Sequence, residues 1–480
     1  MKNIYFTVAI LVSTFICQAQ IVDIPDANFK NTLVNELCVD TTGNGIEDDD
    51  VDINNDGEIQ ISEAEAVLWL NVSNTFDTPN SERISSLEGL QYFINLQQFK
   101  CGHNSLTSLD VSQNPSLLTL ECEYNVLTNL DVSQAPDLTR LFCQGNLNLP
   151  SLNLTQNPNL EELNCNDNSL TNLDVSQNPN LEMLWCVSND LASLDLTQNP
   201  NLEHLLCGDC KLTSLNLTQN PNLLFLDCSD NNLTSLNLAQ NPNLEQLYCY
   251  NNNLTSLNFT QNPNFHALGA GNNQLTSLNL TQNPNLSFLR CDENQLTSLN
   301  VSQNPNLDRI RCDYNQLTNL DISQNPNLRI CITSDNLLTS LNIKNGNNTN
   351  MIHMWAFNNP NLTCIRVDDL DFANNQDCND DSWCKDAATD YSEGCTLGVT
   401  DTDYLDLISM YPNPVINTLN IVNNGIDKIL SVRIYDQLGK LVLKEKEHFE
   451  EIGMSHLNRG LFFVTIETEN NFLTEKIIKE

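Results

Sequence analysis

From Cys101 to Cys312 a cysteine, replaced once by Ala270, returns every 21 residues, with a single step of 22 between Cys143 and Cys165 in GNLNLPSL. Around each lies one frame, LxxLxCxxNxLxxL, seen in LEQLYCYNNNLTSL at residues 244–257. From Leu106 to Leu362 the unit recurs thirteen times. A fixed period of this length restricts the chain to a solenoid, because one unit is too short to close a core and buries its apolar edge only against its neighbours. Within the unit some letters stay fixed and a few change freely, which separates positions held by packing from positions available for recognition.

Along a short strand the Leu and Cys of LxC point inward and the residue between them points to solvent. The Asn three places after the Cys is expected to enter the bend and bond free backbone groups of adjacent turns. The later L-N-L or L-D-V alternates again and predicts a minor strand on the opposite side, while QNPN predicts a turn. This frame resembles the leucine-rich repeat family over about residues 67–367, and ISSLEGLQYFINLQQF at its start looks most like the bacterial internalin-type subclass. The resemblance implies a leucine-rich repeat solenoid of about fourteen turns, with parallel strands on a concave face and a mostly irregular or minor-strand convex side.

The cysteine column is expected to hold buried free thiols. Side chains of a parallel, in-register ladder point the same way, which suits a disulfide dihedral poorly, and cysteine packs as a small apolar residue. In CGDC, Cys207 belongs to the column and Cys210 replaces the ladder Asn, so register explains both without a redox or zinc role.

Solenoids need caps over their terminal edges. At 20–66, IPDANFKNTLVNELC predicts a helix capped by Asp26, with Phe29, Leu33 and Leu37 on one side. DINNDGEIQISE follows, and its twelve residues match the EF-hand calcium loop. Asp52, Asn54 and Asp56 fill positions one, three and five, Gly57 makes the sharp turn, Glu58 offers its carbonyl, Gln60 holds the water-bridged position and Glu63 closes the loop. The preceding DTTGNGIEDDDV is a poorer copy, in which Asp40, Thr42, Asn44 and Gly45 fit but Val51 takes the closing place. Since the two loops abut, the unit is similar to a truncated EF-hand-like cap, and the resemblance implies structural calcium.

At the other end, residues 368–395 form a cysteine-rich cap. Cys364, Cys378, Cys384 and Cys395 lie outside the column, where little core is available and disulfides help. Of the three pairings possible, Cys364–Cys395 with Cys378–Cys384 is favoured.

Residues 1–19 read as a secretory signal peptide, and no later apolar run approaches a membrane span. After a linker at 396–403, residues 404–480 alternate in period two with turns, predicting a small β-sandwich. YPNP, IYDQLGKLV and LNRGLFFVTIET…TEKIIK, in that order, resemble the type A C-terminal sorting domain of the type IX secretion system. The resemblance implies that the type IX machinery carries the chain across a Gram-negative outer membrane. The sorting domain would then be removed and the chain released or attached to the cell surface. A net charge of −40 and a pI near 4.1 exclude nucleic acid and anionic membrane as natural partners. A monomer is expected.

The variable strand positions gather Phe142, Met183, Trp185, His204, Leu206, Phe225, Tyr248 and Tyr250, with Arg290 and Arg311 toward the C-terminal side. Aromatic residues with arginine are the usual chemistry of binding hot spots, so a concave-face ligand site is expected. No nucleophile–base set is visible, and His204 and His266 stand three turns apart, so an enzyme is not expected. The reading is a secreted or cell-surface recognition protein, adhesin or adaptor for a protein ligand. The alternatives are a glycan-binding protein, with Trp185, Tyr248 and Trp355 as sugar platforms, and a structural coat or spacer.

Overall fold

The computed structural model describes residues 20–376, 378, 382–395, 408–423, 428–437, 440–468 and 472–480. The expected leader at 1–19 and linker at 396–403 lie outside the described residues. The chain divides into two compact units. The first runs to Leu337 and takes in Asn345–Asn359 and Gln376–Asp386, and the second comprises Leu338–Lys344, Pro360–Asn375 and Ala387–Glu480.

In the first unit the turns contribute strands of two or three residues to one parallel sheet of fifteen strands, from Trp69–Asn71 to Trp383–Cys384. Adjacent strands pair without slippage, as in Leu226↔Leu247↔Leu268. Register is fixed because a one-residue slip would turn every inward leucine to solvent. Leu247 and Cys249 are fully buried while Tyr248 between them is half-buried, as the alternation requires. Two residues past the cysteine the chain bends through left-handed backbone, at Asp230 (φ 55°), Asn251 (φ 52°) and Asn272 (φ 51°). That conformation disfavours branched side chains and tolerates Asn and Asp.

The expected asparagine ladder is present. Asn252 donates its side-chain amide to the carbonyls of Cys228 (3.0 Å) and Cys249 (3.3 Å), and its Oδ1 accepts the Leu233 N–H at 2.9 Å. One side chain thus satisfies backbone groups of two successive turns, in a bend where no strand partner is available.

A second asparagine column differs from expectation. The first Asn of QNPN is fully buried rather than exposed in a surface turn. Asn241 donates to the carbonyls of Leu217 (3.1 Å) and Asn220 (2.9 Å), one turn back, and Asn220 and Asn262 repeat the pattern. The minor strand predicted beside it is regular only late, at Asn319–Asp321 and in a parallel ladder of the second unit formed by Ser340–Asn342, Cys364–Arg366 and Asp390–Ser392. Earlier turns have the alternation but not the ladder. There the asparagine amide takes the carbonyl of the residue that ends L-N-L.

In the N-terminal cap the helix is Ala27–Asn35, and Asp26 Oδ1 accepts the N–H groups of Asn28 and Phe29, each at 3.0 Å. Phe29 and Leu33 are buried as expected, but Leu37 is 65% exposed. The helix ends at Asn35, so helical spacing no longer places Leu37, and Cys38 is buried instead. At the far edge Trp383 is buried, pairs in register with Met354 and donates its indole N–H to the Met351 carbonyl at 3.0 Å. The disulfides are Cys364–Cys395 and Cys378–Cys384, the pairing favoured above.

The second unit ends in two antiparallel sheets, one of Ile408–Tyr411, Thr418–Asn423 and Glu451–Gly453, the other of Leu441–Glu445, Ile429–Asp436, Gly460–Thr468 and Phe472–Lys479. Leu419 and Ile421 from the first share a core with Val432, Ile434, Val464 and Ile466 from the second, which makes the expected sandwich.

Candidate functional site

The solvent face of the fifteen-stranded sheet brings the variable side chains into a strip. Parallel register stacks each residue on its counterpart one turn away, so aromatic residues in neighbouring turns meet without further design. Phe142 and Trp185, two turns apart on either side of Asn164, lie nearly parallel with centroids 6.5 Å apart. His204 stacks on Phe225 at 6.1 Å, and Phe225 meets Tyr248 at 5.6 Å. Tyr248 in turn touches Tyr250 at 6.0 Å and Phe288 at 6.5 Å. Met183 and Leu206 stand in register beside them, and all these side chains are half-buried. Trp355, by contrast, packs with His353 and Phe357 at the C-terminal end of the sheet, so Trp185, Tyr248 and Trp355 are not gathered into one platform.

Arg290 and Arg311 are on the same face, but each is already engaged. Arg290 forks onto Asp292 at 2.8 and 3.2 Å, and Arg311 onto Asp313 at 2.9 and 3.2 Å. Both carboxylates are buried, and these forks raise the two guanidinium pKa values further. Arg290 also covers the Tyr250 ring at 4.9 Å. The Arg-x-Asp spacing in both turns was a legible signal of this pairing. Tyr250 reaches that position because the next turn offers Gly269: a Cβ there would lie 2.1 Å from the phenol oxygen. Burial pushes the Tyr250 hydroxyl up to about 12. A further aromatic knot, unsuspected from the repeat, joins Phe76, His103 and Tyr124 with centroids 4.1 to 4.9 Å apart.

The Asp52–Glu63 loop has the bend of its motif, with Asn55 (φ 57°) and Gly57 (φ 80°) in left-handed backbone. Asp52 accepts the N–H groups of Asp56 (3.1 Å) and Gly57 (2.7 Å). Glu63 accepts those of Asn54 (3.3 Å) and Gln60 (2.8 Å). Asn54 donates to Gln60 at 2.6 Å, and Gln60 donates to Asp56 at 3.0 Å. The Glu58 side chain pairs with Lys30 at 2.6 Å. Asp52 and Glu63 are only 3% and 7% exposed, and neither has an ion pair among the described residues. The donors are all oxygen, which suits a hard cation, and two buried carboxylates without a cationic partner fit such a group. Among the described residues, however, no three His, Cys, Asp or Glu side chains close into a ready cage.

Known proteins place both parts of the chain. Residues 409–480 match the model of the secretion system C-terminal sorting domain. The functional domain of InlJ from Listeria monocytogenes, which includes a cysteine ladder, is similar at 25% identity and a TM-score of 0.60, over 96% of this chain and 98% of that one. The solenoid has the leucine-rich repeat fold. The internalin InlF from Listeria monocytogenes shares it at 18% identity and a TM-score of 0.54, over 80% of this chain and 100% of its own. So does a leucine-rich repeat protein of Leptospira interrogans, at 24% identity and 0.51, over 62% of this chain and 92% of its own. No curated protein matches the sequence. Among the described residues, no helix is long and apolar enough to cross a membrane.

Within the leucine-rich repeat solenoid the column cysteines are buried free thiols. Burial pushes Cys143 and Cys312 up to about 12, which removes the thiolate on which reactivity depends. Cys210 stands in the asparagine ladder rather than in the column, with its Sγ 3.3 Å from the Cys186 carbonyl.

Proposed function

We infer that this chain is an exported binding protein, not an enzyme, which recognises a protein ligand through the aromatic strip of its long sheet. The observation that carries the reading is the run of ring contacts from His204 through Phe225 and Tyr248 to Phe288, half-buried yet facing solvent, on a chain of net charge −40. Contiguous apolar surface of this kind costs solubility and marks a site of association. Trp185 and Tyr248 are its anchors. The separation of Trp355 from these two weakens the glycan alternative, which relies on all three as one platform.

Export follows from the sorting domain. A leader at residues 1–19 would deliver the chain to the periplasm, and the tail would hand it to the type IX machinery for release or attachment outside the cell. Calcium belongs to the same reading: Asp52, Asn54, Asp56, the Glu58 carbonyl and Glu63, with Gln60 through water, would hold it, and it would neutralise the buried carboxylates and stiffen the N-terminal cap.

Two experiments test this. Deleting residues 409–480 should leave folded protein in the periplasm, and undiminished surface delivery would refute the export route. Purified solenoid should capture proteins in a pull-down, with capture lost in Trp185→Ala/Tyr248→Ala. Binding on a glycan array with no protein capture would favour the alternative.

A further inference from the structure

The strip is walled by acid. The residue just before the strand is Glu161, Glu182, Glu203 and Glu245 in four turns of the middle region, and backbone bonds of 2.8 Å from Glu182 to Glu161 and from Glu203 to Glu182 place three of them one above another. On the other edge Asp209 and Asp230 occupy consecutive turns. Like charges stacked across adjacent strands oppose one another, and none of these six has an ion pair among the described residues. Several other charges on this face are neutralised within the chain: Lys100 with Glu121 at 3.1 Å, Arg140 with Glu162 at 3.0 Å, and the two arginine forks. A row of acids without such cationic partners therefore runs along the aromatic segment.

Inside the strip itself sits Asp227. Strand register sets it between Leu206 and Tyr248, next to Phe225. It accepts the Ser229 N–H at 3.0 Å, and it too lacks an ion pair among the described residues. The Ser229 hydroxyl, on the same side of the chain, is buried without a hydrogen-bond partner among the described residues. A carboxylate beside two aromatic rings 5.6 Å apart combines charge with the electron-rich faces that attract a cation.

Resting on the reading of this face as a protein-binding surface, we propose that its occupant is a basic polypeptide segment: a Lys or Arg side chain lies over the exposed faces of Phe225 and Tyr248 and reaches Asp227, apolar or aromatic neighbours lie along the strip toward Trp185, and flanking basic residues meet the glutamate row. A neutral glycan would use the rings but gain nothing from the acids. An acidic segment would be repelled.

The probe is a labelled Lys-Trp-Lys-Leu-Lys peptide, with a counterpart whose lysines are acetylated and so uncharged. Anisotropy titrations on the full chain should show binding of the first that weakens with salt, and at least about ten-fold weaker binding of the second. Asp227→Asn, and separately Glu182→Gln/Glu203→Gln/Glu245→Gln, should each reduce affinity by about ten-fold. Glu65→Gln/Glu82→Gln/Glu88→Gln removes the same charge from exposed sites in the N-terminal region and should change affinity less than about two-fold. Melting curves exclude unfolding as the cause. An equal loss in the control triple, equal binding of the acetylated peptide, or no binding of the basic one overturns the proposal. Ligand capture that is lost in Trp185→Ala/Tyr248→Ala but untouched in the acidic variants would leave protein recognition standing and remove only the basic partner.

Discussion

Cys210 holds its Sγ 3.3 Å from the carbonyl oxygen of Cys186, in the place where the flanking turns put the amides of Asn189 and Asn231. Asn231 bonds the Cys207 carbonyl at 2.9 Å, the Cys228 carbonyl at 3.1 Å and the Leu212 N–H at 2.9 Å. A thiol is a weak donor and a weak acceptor, so the same backbone groups around Cys210 are poorly satisfied.

Cys210→Asn should therefore repair the ladder and stabilise the protein by about 1 kcal/mol, the net worth of one or two hydrogen bonds. The check is the urea midpoint. A lower midpoint in the variant would mean that the bend at Cys210 is shaped for sulfur.

This substitution also shows what the sequence made legible. Thirteen copies in one register exposed the inward Leu and Cys and the ladder Asn, because each role recurs with its letter. The two disulfides followed from cysteines outside the column. The asparagine of QNPN was missed because one residue type serves both exposed turns and buried ladders, and spacing alone does not tell them apart. Pairing of Arg290 and Arg311 with their own aspartates was also missed, since the variable positions were read one column at a time and the aspartate lies in the next. Leu37 misled because helical spacing continued past the point where the helix ends.

In the N-terminal cap, calcium should raise the melting temperature and EDTA should lower it. Glu63→Gln should abolish that calcium-dependent shift. Glu63 is buried and caps Gln60 N–H at 2.8 Å, so the variant is also expected to lose about 1 kcal/mol without calcium. Melting temperatures of the wild type that are identical with and without calcium would remove the metal from the cap.

Acid should loosen the same cap through Asp26. Burial would raise its pKa, but hydrogen bonds from the Phe29, Ser85 and Ser86 N–H groups and the Ser85 hydroxyl outweigh burial and hold it below the ordinary value. A depressed carboxyl contributes stability that is fully present above its unfolded pKa of about 3.9 and is lost as pH falls through the lower folded value. Asp26→Asn should thus narrow the stability difference between neutral pH and pH of about 3, measured by urea unfolding at each. An unchanged difference would show that the cap does not sense this carboxyl.

The contrast between fixed and free letters should appear most sharply at two adjacent residues. Leu247 is fully buried, and Leu247→Ala should cost about 2–5 kcal/mol by leaving a cavity, whatever ligand is present. Tyr248 faces solvent but rests on Phe225, Tyr250 and Phe288, so Tyr248→Ala should cost about 1 kcal/mol of stability from lost aromatic contacts. Its larger effect should fall on binding, by about 1 kcal/mol or more. Trp185 contacts Phe142, three turns from Tyr248 in the sheet order, so the two substitutions share no ring contact and their stability costs should add. Ligand capture should nevertheless fall further in the double variant than in either single one, because one ligand laid along the strip would touch both. Melting curves paired with capture assays on the four variants make the comparison. If Leu247→Ala and the Tyr248/Trp185 double variant lose capture only in proportion to stability, the strip is packing rather than a recognition surface.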